Sequence, residues 1–91
     1  MPVAETSIII ANKVGLHARP ARLLVQTAAQ FQSQIQVSCG EKAANAKSIV
    51  GILKLSASLG DILLLRAEGE DAEQAIHTLT DLIERKFEEE E

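Results

Sequence analysis

Short strand-like and helix-like apolar patterns alternate along the whole of this 91-residue chain. Four segments have the β-branched composition or the two-residue period of strands: 5–11, 34–39, 43–46 and 62–68. Three segments have the apolar spacing of helices: 18–31, the short run after Ser48 and the run that begins at Asp71. The order β-α-β-β-α-β-α predicts an α+β fold, with one antiparallel sheet and helices covering one of its faces.

A chain of this length, residues 1–91, is expected to form a single domain with one core. Phe31 and Phe87 are the only aromatic residues, so the core must be built from Ile, Leu, Val and Ala. The same periodicity predicts inward-facing residues in the first helix, the last strand and the last helix: Ala21, Leu24, Val25, Ala28, Phe31, Leu63, Leu65, Ala67, Ala75, Ile76, Leu79, Leu82 and Ile83. Residues 88–91, four glutamates, are expected to be a frayed, solvated tail.

The net charge of −4 and the absence of a Lys/Arg cluster argue against nucleic acid as a partner. The shortage of aromatic residues also removes the usual platform for stacking bases. There is no signal peptide and no apolar run long enough to cross a bilayer. We therefore expect a soluble, cytoplasmic protein that does not insert into a membrane.

Cys39 is the only cysteine, so it cannot form an internal disulfide. It alternates with Ile35 and Val37, which predicts a buried strand thiol in a reducing compartment. No cluster of histidine and cysteine residues has metal-ligand spacing, and no cofactor motif is present. We expect neither a metal nor a cofactor.

Two helix starts carry residues that commonly cap helices. Asp71 with Gln74 three residues later matches a capping box and predicts the start of the last helix. Ser48 precedes the sequence IVGILKL and is a favourable N-cap residue. His77 falls between Glu73 and Asp81 on the outer side of the last helix, where we expect it to be solvated.

The sequence GLHARPA, residues 15–21, places His17 just before a helix. The backbone N–H groups of Ala18 and Arg19 would have no partner within that helix, and Pro20 has no N–H to donate. Positive potential at the helix start disfavours imidazolium, so the ring should be largely neutral and nucleophilic near pH 7. An anion attached to the ring would meet these N–H donors and the Arg19 guanidinium, an arrangement that suits a phosphoryl group.

A simpler interpretation of His17 is a surface residue or a modest cap, which is the more common role for a histidine at such a position. No second catalytic group is near it in sequence, and neither a phosphate-binding glycine loop nor paired carboxylates are present. The residues alone therefore leave both interpretations open.

Together, GLHARPA and NAKSIVGILKL, residues 45–55, resemble HPr, the histidine phosphocarrier family of the bacterial phosphoenolpyruvate-dependent sugar phosphotransferase system. The resemblance runs from about Glu5 to Phe87 with matching order and spacing of elements. It implies an open-faced β-sandwich in which a four-stranded antiparallel sheet of order 1-4-2-3 carries three helices on one face. The strand order comes from the resemblance alone.

The resemblance also implies roles for individual residues. His17 would accept phosphate from phosphorylated enzyme I and pass it to the A components of sugar permeases, as a stoichiometric carrier and not an enzyme. Arg19 would stabilise the phosphoryl group, with the Ala18 and Arg19 amides binding it, and Pro20 matches the motif proline. Ser48 matches a serine that a dedicated kinase phosphorylates in many Gram-positive relatives, where a catabolite-control transcription regulator recognises the product. HARPA and SIVGI look more like that Gram-positive branch.

Ile49, Val50 and Leu53 match the apolar patch through which the family docks its partners. Val50 replaces a larger Met or Phe, and basic residues common along the first helix are absent at Gln26 and Ala29. Arg22, on the same side as Ala18, would compensate for that lost charge. Ile52 and Leu55 would face inward, although the alternative that all five apolar residues are buried is also open.

Three other functions are compatible with such a chain. A regulatory paralogue that binds a transcription factor without carrying phosphate is one, but such relatives lack the active histidine. A nitrogen-branch or otherwise regulatory phosphocarrier is the second, and the sequence does not distinguish it from a sugar carrier. The third is a nucleic-acid or metabolite-binding module, against which the charge, the missing aromatics and the His17 motif all weigh. A monomer is the default expectation.

Overall fold

The computed structural model describes residues 1–13 and 15–88. The elements in chain order are β1 (Val3–Ile9), α1 (Ala18–Ala28), β2 (Gln34–Cys39), β3 (Lys42–Asn45), α2 (Ile49–Lys54), β4 (Ile62–Glu68) and α3 (Ala72–Glu84), followed by a 3₁₀ turn at Lys86–Glu88. The strands form one antiparallel sheet of order β1-β4-β2-β3. The predicted α+β open-faced sandwich is therefore confirmed, including the strand order implied by the resemblance.

Alternation along the strands determines which face of the sheet carries the helices. In β4, which pairs with both β1 and β2, Leu63, Leu65 and Ala67 are completely buried, whereas Leu64 and Arg66 between them are exposed. Because successive strand side chains point to opposite faces, one face of the sheet packs on the helices and the other remains open.

The core is made of small and aliphatic side chains, as the composition predicts. The inward stripe of α3 is buried at every predicted position, and in α1 the buried residues include Ala21, Leu24 and Ala28. Val25 and Phe31 are only partly buried and pack against the margin of the core. Phe87, just after α3, is the largest completely buried side chain and contributes the core's aromatic ring.

Three element boundaries differ from the prediction. The first strand was predicted over 5–11 but ends at Ile9, since Ile10 exchanges backbone hydrogen bonds with the turn before β4: it donates to Asp61 O and accepts from Gly60 N. The first helix, predicted over 18–31, ends at Ala28 because Phe31 N bonds to Ala28 O, which tightens the last turn. The third strand begins one residue earlier than predicted.

The predicted start of the last helix at Asp71 is confirmed, but the capping box predicted for Asp71 and Gln74 is wrong. In the described part of the chain, Asp71 precedes α3 but its side chain makes no capping bond to that helix. Its carboxylate instead accepts hydrogen bonds from Gln32 N at 2.8 Å, from Ser33 N at 3.0 Å and from Ser33 Oγ. The Ser33 hydroxyl and the Gln32 amide lower the pKa of Asp71. Asp71 therefore ties the α1–β2 connection to the start of α3.

Cys39 is half-buried at the end of β2, so the prediction of a buried strand thiol is only partly met. Burial, and then the Asp61 carboxylate, raise the pKa of the Cys39 thiol. Such a thiol is a poor nucleophile near pH 7. Among residues 1–13 and 15–88, no three or more His, Cys, Asp or Glu side chains are grouped so as to hold a metal ion.

Within that described part, none of the helices is long and apolar enough to span a bilayer. The acidic tail predicted at 88–91 lies outside the described residues, except for Glu88 at the end of the 3₁₀ turn.

Candidate functional site

His17 is the N-cap residue of α1. Its backbone is extended, with φ −88° and ψ −170°, and α1 begins at Ala18. The His17 carbonyl accepts the first helical hydrogen bond, from Ala21 N at 2.9 Å. Within the described part of the chain the His17 side chain makes no capping bond to the helix, so the partly exposed ring is not used to terminate α1.

The N-terminus of α1 offers backbone donors beside this ring. The amides of Ala18 and Arg19 precede the first helical bond, and both residues are exposed. Pro20 is buried and has no N–H to lose. The first turn contains no acidic residue that would offset the positive end of the helix dipole. The geometry therefore provides a surface where an anion on the ring meets N–H groups.

The segment before His17 is attached to the loop that follows α2. Leu16 N donates to Ala57 O at 3.0 Å. Gly15 has φ +64°, and a Cβ there would lie 2.3 Å from Ala57 O. Asn12 is completely buried, and its Nδ2 donates to Gly15 O at 2.7 Å. Sequence reasoning missed Asn12 and Ala57; the signal available for Asn12 was a polar residue directly after an apolar strand.

Arg19 and Arg22 are both exposed on α1, in the two turns that follow His17. The sequence position of Arg19 in the first turn brings its main chain next to the ring. Arg22 lies one turn farther along the helix.

Ser48 is the N-cap residue of α2, as predicted. Its Oγ accepts a hydrogen bond from Gly51 N at 3.1 Å, and the residue is half-buried. Helix α2 begins at the next residue, and its apolar side chains divide into a buried set and an exposed set, as expected. Ile52 and Leu55 are buried, whereas the exposed fractions of Ile49, Val50 and Leu53 are 38%, 57% and 40%. We call these last three residues the α2 patch.

Helix α2 connects the surroundings of His17 with Ser48 and the α2 patch. It packs against α1, and Lys47 Nζ, just before Ser48, donates to Phe31 O beyond the end of α1 at 2.7 Å. The loop after its other end carries Ala57, which bonds to Leu16 beside His17. The α2 patch therefore lies on a helix that packs against α1 and that is followed by the loop bonded to the residue before His17.

Two surface grooves on the described part of the chain lie away from His17. One, of about 360 Å³, is on the open face of the sheet and is lined by residues that include Gln36, Asn45 and Arg66. The other lies beside Ile9 and Glu84. His17 lines neither of these two grooves.

An open-faced sandwich with a partly exposed histidine at the N-terminus of its first helix is the arrangement that the sequence resemblance to the small phosphocarriers implies. A family model described as PTS HPr component phosphorylation site matches residues 4–85. The chain belongs to the HPr family of phosphocarrier proteins.

Relatives cover almost the whole chain. Phosphocarrier protein HPr of Xylella fastidiosa (strain 9a5c) is 44% identical over 85 residues, which are 93% of this chain and 96% of that protein. A crystal structure of HPr from Thermoanaerobacter tengcongensis is 57% identical, with a TM-score of 0.92, and covers 97% of this chain and 99% of its own.

Two further relatives are not named HPr. Phosphocarrier protein NPr of Shewanella violacea is 38% identical over 89 residues, 98% of each chain. The crystal structure of Crh, a catabolite repression protein of Bacillus subtilis described as a dimer with a swapped domain, is 38% identical. It has a TM-score of 0.74 and covers 87% of this chain and 91% of its own.

Proposed function

We propose that this protein carries phosphate on His17, receiving it from phosphorylated enzyme I and passing it to the A components of sugar permeases. The observation that carries the proposal is His17 at the N-cap of α1, beside the amides of two exposed residues, Ala18 and Arg19. Membership of the HPr family supports it. The protein then acts stoichiometrically, as both acceptor and donor, and works in the cytoplasm.

In the accepting step a ring nitrogen of His17 attacks phosphorus with its lone pair. A nitrogen–phosphorus bond forms, and the bond between phosphorus and its carrier atom on enzyme I breaks, with the electron pair returning to that atom. The amides of Ala18 and Arg19 and the positive end of α1 stabilise the charge now held beside the ring. The reverse of this step, with a different protein, delivers phosphate to the permease component.

Arg19 supplies the charge-assisted part of the site. A guanidinium presents donors in a planar fork that matches phosphate oxygens, and Arg19 is exposed on the first turn of α1. It stabilises the phosphoryl group as the bond to the donor protein breaks.

Partners dock on the α2 patch, assisted by Arg22. The patch is apolar and exposed, although its neighbours Ile52 and Leu55 are buried in the core. A surface of this kind can lose contact with water on binding at little cost to the fold. Because α2 packs against α1, at whose start His17 lies, docking on the patch brings a partner's phosphate to the ring.

Ser48 is the regulatory site, phosphorylated by a serine kinase and restored by a phosphorylase. Its Oγ lies at the start of α2 and already accepts Gly51 N, so a phosphate there remains close to helix donors and the fold survives. The added negative charge lies directly beside the α2 patch. It weakens docking of enzyme I and creates an anionic surface that a catabolite-control transcription regulator recognises.

A second candidate function is a regulatory or nitrogen-branch carrier that acts by protein binding without sugar uptake. The chain is similar to NPr and to Crh over most of its length, and this similarity supports the second candidate. The proposed working state is a monomer, which light scattering tests directly against the dimer described for Crh.

The proposal is tested by incubating the protein with enzyme I and phosphoenolpyruvate and measuring its intact mass. We expect a gain of one phosphoryl group that acid removes and base preserves. His17→Ala should take none, and the matched variant His77→Ala should be labelled like the native protein, because His77 is exposed on α3. Label on His17→Ala would refute the proposal, and faster labelling by a nitrogen-branch enzyme I would favour the second function.

A further inference from the structure

Asn12 lies three residues before Gly15 and is completely buried. Its Nδ2 donates to Gly15 O at 2.7 Å, and its own backbone oxygen accepts from Gly15 N at 3.2 Å. Buried amides are uncommon and are retained where their hydrogen bonds are made. The side chain and main chain of Asn12 together close the turn that leads to His17.

The peptide unit between Gly15 and Leu16 is held at both ends. Its carbonyl oxygen accepts from Asn12 Nδ2, and its N–H donates to Ala57 O at 3.0 Å. The plane of this peptide cannot rotate without breaking one of these two bonds. The contact at Ala57 is close enough that a Cβ on Gly15 would overlap the Ala57 oxygen.

His17 follows this clamped peptide by one residue and is fixed again on its other side. The side chain of Leu16 is buried, and the His17 carbonyl is bonded to Ala21 N. The backbone of His17 is therefore held before and after its Cα, which fixes the point and the direction from which its side chain leaves the main chain.

We propose that Asn12 is a positioning residue for phosphoryl transfer, which acts by orienting the Gly15–Leu16 peptide and thereby His17. The inference rests on the proposed function, since it assumes that His17 is the acceptor. Asn12 does not touch the phosphoryl group. It keeps the ring at the place where phosphate also meets the amides of Ala18 and Arg19, because transfer is sensitive to displacements of about 1 Å.

Asparagine meets two requirements of this position: it fills the buried space, and it donates a hydrogen bond to the Gly15 oxygen. Leucine would fill the space but leave the Gly15 oxygen without its donor. Ionised aspartate has the shape of asparagine but would turn a negative acceptor towards that oxygen. Asn12→Leu and Asn12→Asp therefore remove the same bond in two chemically different ways.

The test compares kcat/KM for phosphorylation by enzyme I among the native protein, the two Asn12 variants and Ser33→Ala. Ser33 is the matched control, because it is also a buried polar residue but bonds to Asp71 away from His17. All proteins are assayed at a temperature where circular dichroism shows them folded. We expect the Asn12 variants to be slower by about tenfold or more, with the loss in kcat and with KM little changed, because the docking surface is intact while the ring is displaced. Ser33→Ala should be slower by less than about twofold.

Native rates in a folded Asn12 variant would overturn the inference, and so would an equal slowing of Ser33→Ala. If neither Asn12 variant folds, hydrogen exchange on the native protein decides, since Leu16 N–H must be protected like a core amide and rapid exchange would refute the clamp. Failure of the native protein to take phosphate is a different result, because it refutes the proposed function and leaves the exchange measurement intact.

Discussion

The carbonyl oxygen of Ala57 accepts a 3.0 Å hydrogen bond from the amide of Leu16, the residue before His17. This bond joins the loop after α2 to the loop before α1. The helix that carries the proposed docking patch is thus attached to the proposed acceptor by main-chain contacts. Changes at the junction should affect both the stability of the fold and the rate of transfer.

Gly15→Ala tests the junction directly. Both Gly15 and Gly40 have positive φ, but a Cβ on Gly40 meets nothing within 4 Å, whereas one on Gly15 lies 2.3 Å from Ala57 O. Backbone strain alone should cost Gly40→Ala about 1–2 kcal/mol. We expect Gly15→Ala to lose at least about 1 kcal/mol more, because Ala57 must also move. Urea unfolding measures both, and equal losses would contradict the close contact.

Asp71 should make the fold sensitive to acid. Its pKa is lower in the folded protein than in the unfolded chain, where it is about 4, because it accepts hydrogen bonds from Ser33 and Gln32. The stabilisation is therefore complete above the unfolded pKa and is lost as pH falls through the lower, folded value. Asp71→Asn should be less stable than the native protein at pH 7 and closer to it at pH 3. The control is Asp81→Asn, because Asp81 pairs with Arg85 on the surface. The difference in stability between this variant and the native protein should not shrink in the same way between pH 7 and pH 3.

Arg19→Lys should slow phosphoryl transfer with little change in melting temperature. Lysine keeps the positive charge but loses the planar fork, and the exposed Arg19 side chain contributes little to the core. Arg66→Lys, on the open face of the sheet, provides the comparison and should transfer normally. Stopped-flow transfer to and from His17 measures the effect; unchanged rates would make Arg19 a solvated neighbour only.

Val50→Asp should weaken binding of enzyme I while changing stability by no more than about 0.5 kcal/mol. The matched variant is Ile62→Asp, since the exposed fractions of Val50 and Ile62 are 57% and 58% but Ile62 lies on the opposite, open face. Calorimetric titration should show weaker binding only for Val50→Asp. Equal weakening would argue against a specific α2 patch, and a large loss of stability would place Val50 in the core.

Phosphorylated Ser48 should accept phosphate on His17 more slowly than the native protein, and Ser48→Asp should act in the same direction but more weakly. A phosphate carries about −1.5 to −2 charge, more than a carboxylate, and lies beside the α2 patch. Ser48→Ala isolates the capping role and should cost about 1 kcal/mol of stability without slowing transfer. Equal rates for native, phosphorylated and aspartate forms, with no regulator bound more tightly, would leave Ser48 as a helix cap.

Local patterns in the sequence were sufficient to predict the element order, the inward faces and the position of His17 before α1. Leu63, Leu65 and Ala67 alternate with exposed residues, and Ile52 separates from Val50 within one turn of helix. These predictions succeed because strand and helix periods are properties of consecutive residues. The strand order required the resemblance to a known family, since which strands pair is not encoded in the period of any one of them.

Tertiary structure alone decided what Asp71 and Ala57 do. Asp71 has the sequence of a helix cap, yet its carboxylate bonds to Gln32 and Ser33, which precede it by 39 and 38 residues. Leu16 likewise finds its acceptor at Ala57, and β1 ends where Ile10 meets Asp61. A carboxylate or a backbone amide can satisfy its hydrogen bond with many partners, and only the packed chain determines which of them lies within reach.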